Sequence, residues 1–211
     1  MKNLILIGAG SWGLEVWSWL TSAKGYGTEF NFKGFLSNNL NEIDDKVYCD
    51  ACIIGLIDGY EPQTNDVFVC TIGNFESKKR ITSLFEKKKA TFINIIHRSV
   101  IFFKGVKLGN GIVISPFCVV SNNAMISNYV SINLCCTIGH DTRIGSCSVI
   151  SSHCDITGGV RLGENVFLGS SVKIAPLKRI CSNVSLGLGS VVIRNIRKEG
   201  TYMGNPVMKI K

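Results

Sequence analysis

The chain has 211 residues and a mass of 23.1 kDa, which suits one large domain or two small ones. Apolar residues make up 45% and charged residues 18%, so the chain can bury a core and its composition argues against disorder. A formal net charge of +8 favours phosphate-bearing partners or a solvated basic surface. Because no RNA-binding or recognition-helix motif accompanies the scattered basic residues, we expect no nucleic-acid partner.

The apolar stretches of the chain are short. None approaches the ~20 residues that cross a bilayer, so we expect no membrane insertion. The apolar run at residues 4–7 is shorter than the roughly 7–15 residues of a secretory signal, which favours a cytoplasmic protein. Its nine cysteines are then expected to be reduced. Cys49 and Cys52 form a CxxC pair, but no second pair is spaced for zinc, and we expect no metal.

Residues 1–96 are predicted to form an α/β domain of the Rossmann-like type. Apolar runs with strand and helix periodicity alternate along this segment, and alternation of this kind favours a parallel sheet with crossover helices. The predicted order is strand, helix, strand, strand, helix and strand, over residues 2–7, 14–20, 31–36, 66–72, 77–89 and 91–95.

Residues 97–211 carry a six-residue repeat. Every sixth residue from Phe102 to Val192 is bulky and apolar, and the residue two positions earlier is mostly small or β-branched. Such a repeat buries its apolar side chain only by stacking on its neighbours, with one short strand and one corner per hexad. Three hexads close a triangular coil, so we predict a parallel β-helix of about five coils, each rising roughly 4.8 Å.

Three cysteines share the period of a whole coil. Cys118, Cys136 and Cys154 recur every 18 residues. The predicted coil therefore stacks them at one inward-facing position, where a thiol packs as a small apolar group. A metal or redox role is the alternative.

The first predicted strand is followed by Gly8-Ala9-Gly10-Ser11-Trp12-Gly13, which fits the pattern GxGxxG before a helix. Backbone N–H groups at such a turn suit a phosphate. Binding of NAD would also need an acidic residue at the end of the second strand, where the chain has Ser37-Asn38-Asn39 instead. The motif therefore favours a phosphate or a nucleotide sugar over a dinucleotide, with a purely structural turn as the alternative.

Three histidines are candidates for acid–base chemistry: His97, His140 and His153. His140 falls at a predicted corner and is followed by Asp141. A corner histidine with an adjacent carboxylate can act as an outward-facing general base near neutral pH. From these residues alone, an ordinary polar corner is the simpler interpretation.

Taken together, these motifs resemble the NeuD family of sialic acid O-acetyltransferases and their relatives, the PglD-type N-acetyltransferases of nucleotide-linked amino sugars. The likeness covers essentially the whole chain. It rests on the hexad array together with the segments GAGSWGLEV at residues 8–16, Gly34-Phe35-Leu36, Thr71-Ile72-Gly73-Asn74, Ile96-His97, Gly139-His140-Asp141, Gly158-Gly159-Val160 and Gly204-Asn205-Pro206.

The resemblance implies a left-handed β-helix and a homotrimer that binds acetyl-CoA in the grooves between subunits. The N-terminal domain would hold the acceptor, a nucleotide-linked amino sugar used in surface polysaccharide or glycan biosynthesis. His140 would remove a proton from the acceptor and Asp141 would orient His140, without a covalent acyl-enzyme. O-acetylation of a sugar such as a sialic acid is the alternative.

Further site residues follow from the same resemblance. The implied acetyl-CoA site consists of Gly158, Gly159, Ser170, Gly187, Leu188 and Gly189. The implied acceptor site consists of Gly10, Ser11, Trp12, Gly13, Ser37, Asn38, Asn39, Gly73 and Asn74.

The chain departs from the family pattern at two positions. Trp12 stands where PglD-like members have a histidine near the acceptor, which leaves the identity of the acceptor and its nucleotide open. Val149 stands where a second family histidine contacts the cofactor. His153 lies four residues further on and need not replace it.

Two other functions are compatible with parts of the sequence. The γ-type carbonic anhydrases share the β-helix but need three clustered histidine ligands, and His140 and His153 fall on corners that follow different faces of the coil. A non-catalytic module that binds a nucleotide is the other alternative, and no motif requires it.

Overall fold

The structure, a computed structural model, describes residues 1–40 and 50–211. The chain divides into two compact units, Met1–Ile95 and Ile96–Lys211. The roles predicted for the two domains stay predictions. Of the CxxC pair, Cys49 lies outside the described residues and Cys52 is exposed.

The first unit contains a five-stranded parallel sheet with strand order β3-β2-β1-β4-β5. Its centre is β1, in which residues 4–7 are fully buried. The predicted parallel sheet is confirmed. Its elements are β1 (Lys2–Ile7), α1 (Ser11–Trp19), a 3₁₀ turn (Leu20–Ser22), β2 (Phe30–Leu36), β3 (Ile53–Gly55), β4 (Asp66–Cys70), α2 (Phe75–Lys87) and β5 (Thr91–Phe92).

Several predicted boundaries differ from the structure. Helix α1 begins at Ser11 rather than at residue 14, because the N–H of Leu14 already donates to the Gly10 carbonyl at 3.0 Å. Helix α2 begins early because the Asn74 side chain accepts a hydrogen bond from the Ser77 N–H at 2.9 Å. Strand β3 has three residues, too few for a periodic signal. The strand predicted over 91–95 ends at Phe92.

The second unit is a parallel β-helix. Its short strands pair with strands 18 residues away, as in Val119↔Thr137 and Thr137↔Asp155, and they form three sheets. An antiparallel pair, β23 with β24, follows the last coils. The strands are β6 (Ile95–Ile96), β7 (Ile101–Phe102), β8 (Lys107–Leu108), β9 (Val113–Ile114), β10 (Val119–Val120), β11 (Met125–Ile126), β12 (Ser131–Ile132), β13 (Thr137–Ile138), β14 (Arg143–Ile144), β15 (Val149–Ile150), β16 (Asp155–Ile156), β17 (Arg161–Leu162), β18 (Phe167–Leu168), β19 (Lys173–Ile174), β20 (Arg179–Ile180), β21 (Val184–Leu186), β22 (Val191–Val192), β23 (Gly200–Gly204) and β24 (Val207–Lys209).

The predicted hexad residues form the core of the β-helix. Each is the last residue of its strand, and all are buried except Phe102 and Leu108, which are partly buried and pack against the core from the first coil. The repeat and the parallel β-helix are therefore confirmed. The left-handed winding stays a prediction.

The corners of the coil recur as regularly as the strands. A residue with positive φ stands at every sixth position from Gly105 to Gly189, including Asp141 at +58° and His153 at +61°. This conformation is unfavourable for residues other than glycine. Hydrogen bonds between coils offset that cost, as where the Asp141 N–H donates to the Asn122 carbonyl at 2.8 Å. From Asn123 to Gly189, each of these corner residues donates its N–H to a carbonyl of the corner one coil before it.

The predicted cysteine stack is also confirmed. Cys118, Cys136 and Cys154 are buried, and each thiol donates to a carbonyl one coil on, at 3.0 to 3.2 Å. The adjacent Cys136 thiol and burial raise the pKa of Cys118. These contacts support the packing role. Across residues 1–40 and 50–211, no group of three or more His, Cys, Asp and Glu side chains is placed to hold a metal ion. No helix in the same residues is long and apolar enough to cross a bilayer.

Asp66 anchors a buried polar network in the first unit. Its carboxylate is fully buried and accepts from Lys33 Nζ at 2.8 Å, from the Tyr60 hydroxyl at 2.7 Å and from the Gln63 N–H at 3.0 Å. Burial acts to raise the pKa of Asp66, but the hydrogen bonds outweigh it and hold the pKa below its ordinary value. The ionised form therefore stabilises the fold above the ordinary pKa of about 4, and this contribution is lost as the pH falls through the lowered pKa.

Replacing Asp66 with asparagine is expected to lower the free energy of unfolding by about 2–3 kcal/mol at neutral pH, because hydrogen bonds to a buried charge are lost. Tryptophan fluorescence in urea measures this unit selectively, since all three tryptophans lie in α1. The difference from the wild type should shrink below about pH 4. Glu61, whose side chain is 73% exposed where it pairs with Lys88, provides the control: Glu61→Gln should change the stability by less than about 0.5 kcal/mol. Equal losses in the two variants would contradict the role of Asp66.

Candidate functional site

His140 and Asp141 form a hydrogen-bonded pair at one corner of the β-helix. The Nδ1 atom of His140 lies 2.8 Å from Oδ2 of Asp141. Both side chains are open to solvent, with 67% and 58% of their surface exposed. A substrate can therefore reach the imidazole without any displacement of the core.

Asn123 completes this arrangement. It lies one coil before Asp141 on the same edge, and its Nδ2 donates to Asp141 Oδ1 at 3.2 Å. The hydrogen bond from His140, and then that from Asn123, lower the pKa of Asp141, so its carboxylate is ionised at neutral pH. Asn123 was not predicted as a site residue, although its spacing of 18 residues from Asp141 was a usable signal.

The hydrogen bond to Asp141 fixes the tautomer of His140. An ionised carboxylate can only accept, so Nδ1 carries the proton and Nε2 holds the free lone pair of the neutral ring. This is the protonation state required of a general base that works through Nε2.

Gly158 makes room for this ring. It lies one coil after His140, and a Cβ at this position would stand 2.7 Å from Cε1 and 2.9 Å from Cδ2 of the imidazole, and closer still to Nε2. The next residue, Gly159, donates its N–H to the His140 carbonyl at 2.7 Å. The structure thus brings together four predicted residues, His140, Asp141, Gly158 and Gly159. We call the corners at 140–141, 158–159 and 176–177 the His140 edge.

The other predicted cofactor residues lie on a different edge. The Gly189 N–H donates to the Ser170 carbonyl at 2.8 Å, and the Ser171 N–H donates to the Ser152 carbonyl at 2.9 Å. We call the corners at 152–153, 170–171 and 188–189 the Leu188 edge, since Leu188 is 75% exposed there. His153 belongs to this edge, whereas Val149 lies half-buried on β15. Gly187 lies one position before the corner, where a Cβ would overlap Met203.

A cavity of about 550 Å³ opens at the carboxyl ends of β1, β2 and β4 in the first unit. The strand order reverses between β1 and β4, and such switch points are the usual ligand sites of open parallel sheets. The volume lies within the usual range for small-molecule sites. The predicted residues that line the cavity are Gly10, Ser11, Trp12, Ser37, Asn38, Asn39 and Gly73, and those missed by the sequence analysis are Gly8, Ile57, Thr71 and Ile72.

Two residues of the predicted acceptor site do not line this cavity. Gly13 is buried, and a Cβ there would overlap the Gly8 carbonyl oxygen, so glycine is needed to pack α1 against the turn. The side chain of Asn74 caps α2. The structure therefore gives both residues structural roles.

The wall of the cavity formed by residues 37–39 is held by side-chain hydrogen bonds. Asn38 Oδ1 accepts from the Ile57 N–H at 3.1 Å, and its Nδ2 donates to Asp58 Oδ2 at 3.0 Å. Asn38 thereby ties the end of β2 to the loop after β3. Trp12 also lines the cavity, and its indole N–H is buried and has no hydrogen-bond partner among the residues that the structure describes.

No family model and no curated protein matches the chain significantly. Solved structures do match it over their full length. The acetyltransferase domain of PglB from Neisseria gonorrhoeae has 23% identity and a TM-score of 0.87, with 100% of both chains covered. PerB from Caulobacter crescentus, in complex with CoA and GDP-perosamine, has 20% identity and a TM-score of 0.88, with 100% of this chain and 98% of that chain covered. WeeI from Acinetobacter baumannii has 19% identity and a TM-score of 0.87, with 100% of both covered. The predicted resemblance is thus confirmed at the level of the fold.

Proposed function

We propose that the protein is an acetyl-CoA-dependent acetyltransferase that N-acetylates an amino sugar linked to a nucleotide. The observation that carries this proposal is the exposed His140 ring, whose Nδ1 is held by the ionised Asp141 and whose Nε2 lies over Gly158. The similar folds support it: PerB was solved with CoA and GDP-perosamine, and the PglB domain with acetyl coenzyme A.

The chemistry follows from the tautomer of His140. As the amine of the acceptor attacks the acetyl carbonyl, Nε2 takes its proton, and Asp141 stabilises the imidazolium that forms. The new N–C bond is made, the C–S bond breaks, and the imidazolium returns the proton to the departing CoA thiolate. Of the two glycines, Gly159 already uses its N–H on the His140 carbonyl. The N–H of Gly158 makes no hydrogen bond among the described residues and can receive the developing oxyanion.

We infer an arrangement of subunits from the positions of the two edges. Within one chain, the sheet that contains β13 and β16 separates the His140 edge from the Leu188 edge. A single acetyl-CoA touches both sets of residues when the Leu188 edge of one subunit faces the His140 edge of another. Repeating this contact with a rotation of a third of a turn between subunits closes a ring of three. We therefore propose a homotrimer of left-handed β-helices with three sites between subunits.

Sedimentation equilibrium at micromolar concentration is expected to give a mass about three times the 23.1 kDa of one chain. In an open head-to-tail assembly, one terminal subunit leaves its His140 edge uncovered and the other leaves its Leu188 edge uncovered. Closure into a ring covers both edges, so we expect a ring. A stable monomer at that concentration would contradict the assembly.

The cavity of the first unit is the proposed site for the acceptor's nucleotide or sugar. Its glycine turn presents N–H groups, and Trp12 offers an aromatic face for stacking. Trp12→Ala is therefore expected to raise the KM for the acceptor more than the KM for acetyl-CoA. The control is Trp17→Ala, a matched change on the same helix, where Trp17 packs against Phe32 and is not part of the cavity. Steady-state kinetics that show equal effects on both KM values in Trp12→Ala would count against the assignment.

Acetyl-CoA consumption against a panel of acceptors tests the whole proposal. The panel contains nucleotide-linked 3-amino and 4-amino sugars, and sugars with hydroxyls only are the controls. We expect turnover with at least one amino sugar and none with its hydroxyl counterpart. Turnover with hydroxyl sugars alone would favour O-acetylation, and no turnover with any acceptor would contradict the proposed function.

A further inference from the structure

Three arginines stand in line on one face of the β-helix. Arg143, Arg161 and Arg179 are the first residues of β14, β17 and β20, and they are neighbours in parallel register. All three side chains are exposed, while the isoleucine or leucine that follows each is buried. We call these three residues the arginine row.

The arginine row forms no ion pair in the part of the chain that the structure describes. The ion pairs among the described residues all involve other basic side chains, namely those of Lys33, Arg80, Lys88 and His140. Neighbouring strands lie about 4.8 Å apart, and like charges directly opposite each other on a sheet are destabilising. A ligand with several negative charges would relieve this repulsion.

The arginine row runs beside the His140 edge. Each arginine follows a corner of that edge by two residues: Arg143 follows Asp141, Arg161 follows Gly159, and Arg179 follows Leu177. Along the chain's coils, His140 is thus followed by the flat backbone of Gly158 and Gly159, and then by Leu177, an apolar side chain that is 73% exposed. Along the His140 edge, the surface therefore changes from the base His140 to the apolar side chain of Leu177, and the arginine row lies beside it.

This order matches the chemical layout of a CoA thioester. Its acyl group is followed by the pantetheine arm and then by a diphosphate. The arm has roughly the backbone length of four amino acids, hence about 14 Å at ~3.5 Å each. Two coils separate Arg143 from Arg179, a rise of about 10 Å, and the long arginine side chain adds to this reach. A thioester placed at His140 would bring its diphosphate to the level of the last two arginines.

We propose that Arg161 and Arg179 bind the diphosphate of the acyl donor. This inference rests on the proposed function and goes beyond it, since it assigns a phosphate site outside the predicted cofactor residues. Guanidinium groups bind phosphate oxygens in a bidentate manner, and each such charged contact is strong relative to a neutral hydrogen bond. The diphosphate of the acceptor's nucleotide has the same chemistry, so the experiment separates the two sources.

Calorimetric titration of the full chain with coenzyme A, and separately with UDP, GDP and dTDP, is the test. The variants are Arg161→Gln and Arg179→Gln, and the matched control is Lys107→Gln. Lys107 is an exposed cation of the same face, two strands before Arg143. Each arginine variant is expected to raise the Kd for coenzyme A by roughly 10-fold or more, because a hydrogen bond to a charged group is lost. The Kd values for the nucleoside diphosphates, and all values for the control, should stay within about twofold.

A phosphate-free donor provides a second readout. With S-acetylpantetheine, the arginine variants should keep the wild-type kcat/KM, whereas their kcat/KM with acetyl-CoA should fall in step with the calorimetric loss. Weaker binding of the nucleoside diphosphates with unchanged binding of coenzyme A would overturn the assignment to the donor. Unchanged binding of both would overturn the site while leaving the proposed function intact. Failure of the wild type to bind coenzyme A would overturn both.

Discussion

Replacing His140 with alanine is expected to lower kcat by roughly 10²–10⁴, the usual contribution of a general base. In the proposed reaction, the acceptor amine loses its proton as the amide forms, and Nε2 of His140 carries the lone pair that takes this proton. Asp141→Asn should cost less, because it weakens the orientation of the ring and the stabilisation of the imidazolium while the base remains. Saturating steady-state kinetics at neutral pH measure both effects.

His153→Ala is the matched control for the loss of His140. His153 is also an exposed corner histidine, at φ +61°, but its ring pairs with no carboxylate among the described residues and so lacks the orienting partner that Asp141 gives to His140. Its replacement should leave kcat within about threefold, well below a general base's usual share. A kcat in His140→Ala above about a tenth of the wild-type value would contradict the role of His140, since a factor below ~10 is too small for a general base. The acceptor would then be deprotonated by solvent or by another residue, with His153 the first to examine.

A single methyl group at Gly158 is expected to lower kcat by about 100-fold. The added Cβ would overlap the His140 ring, so the imidazole must turn away from the position set by Asp141. A misplacement of about 1 Å in a catalytic group can cost about 10² in rate. The thermal midpoint should change little, because the exposed ring can move without disturbing the core. We therefore measure kcat and the melting temperature on the same preparation, and we expect only kcat to fall.

Gly59→Ala is the control for this substitution. Gly59 has no neighbouring atom within 4 Å of an added Cβ, so the variant should behave as the wild type in both measurements. A wild-type kcat in Gly158→Ala would contradict the placement of the His140 ring over this residue.

The β-helix could be predicted from the sequence because every coil repeats the same packing. Each inward residue, such as Ile138 or Ile156, is paired with the residues 18 positions before and after it. The same need for a bulky apolar side chain therefore recurs in every coil. The first unit lacks such redundancy. Strand β3 was missed because its three residues are too few for a periodic pattern. The start of α2 depends on one side chain, that of Asn74.

The candidate site was predicted in part, and the limits have physical causes. The GxGxxG turn located the cavity, because a turn between β1 and α1 necessarily lies at the end of the sheet. Ile57 was missed because its place beside the cavity depends on the hydrogen bond that its backbone N–H donates to the Asn38 side chain. Any residue type can donate such a bond, so the sequence carries no signal for it. The positive φ of Asp141 could not be predicted from residue type, because this corner position is not a glycine. The separation of Gly158 from Ser170 onto two edges follows from their spacing of 12 residues, which is two thirds of a coil.

In the proposed function, His140 is the general base for the transfer of an acetyl group from acetyl-CoA to the amine of a nucleotide-linked sugar. The most direct measurement is mass spectrometry of the sugar product after incubation with isotopically labelled acetyl-CoA, for the wild type and for His140→Ala under identical conditions. We predict that the wild type places one labelled acetyl group on the sugar nitrogen, and that His140→Ala forms this product at a rate lower by roughly 10²–10⁴. The absence of a labelled N-acetyl product with every amino-sugar acceptor, or equal rates for the two proteins, would contradict the claim.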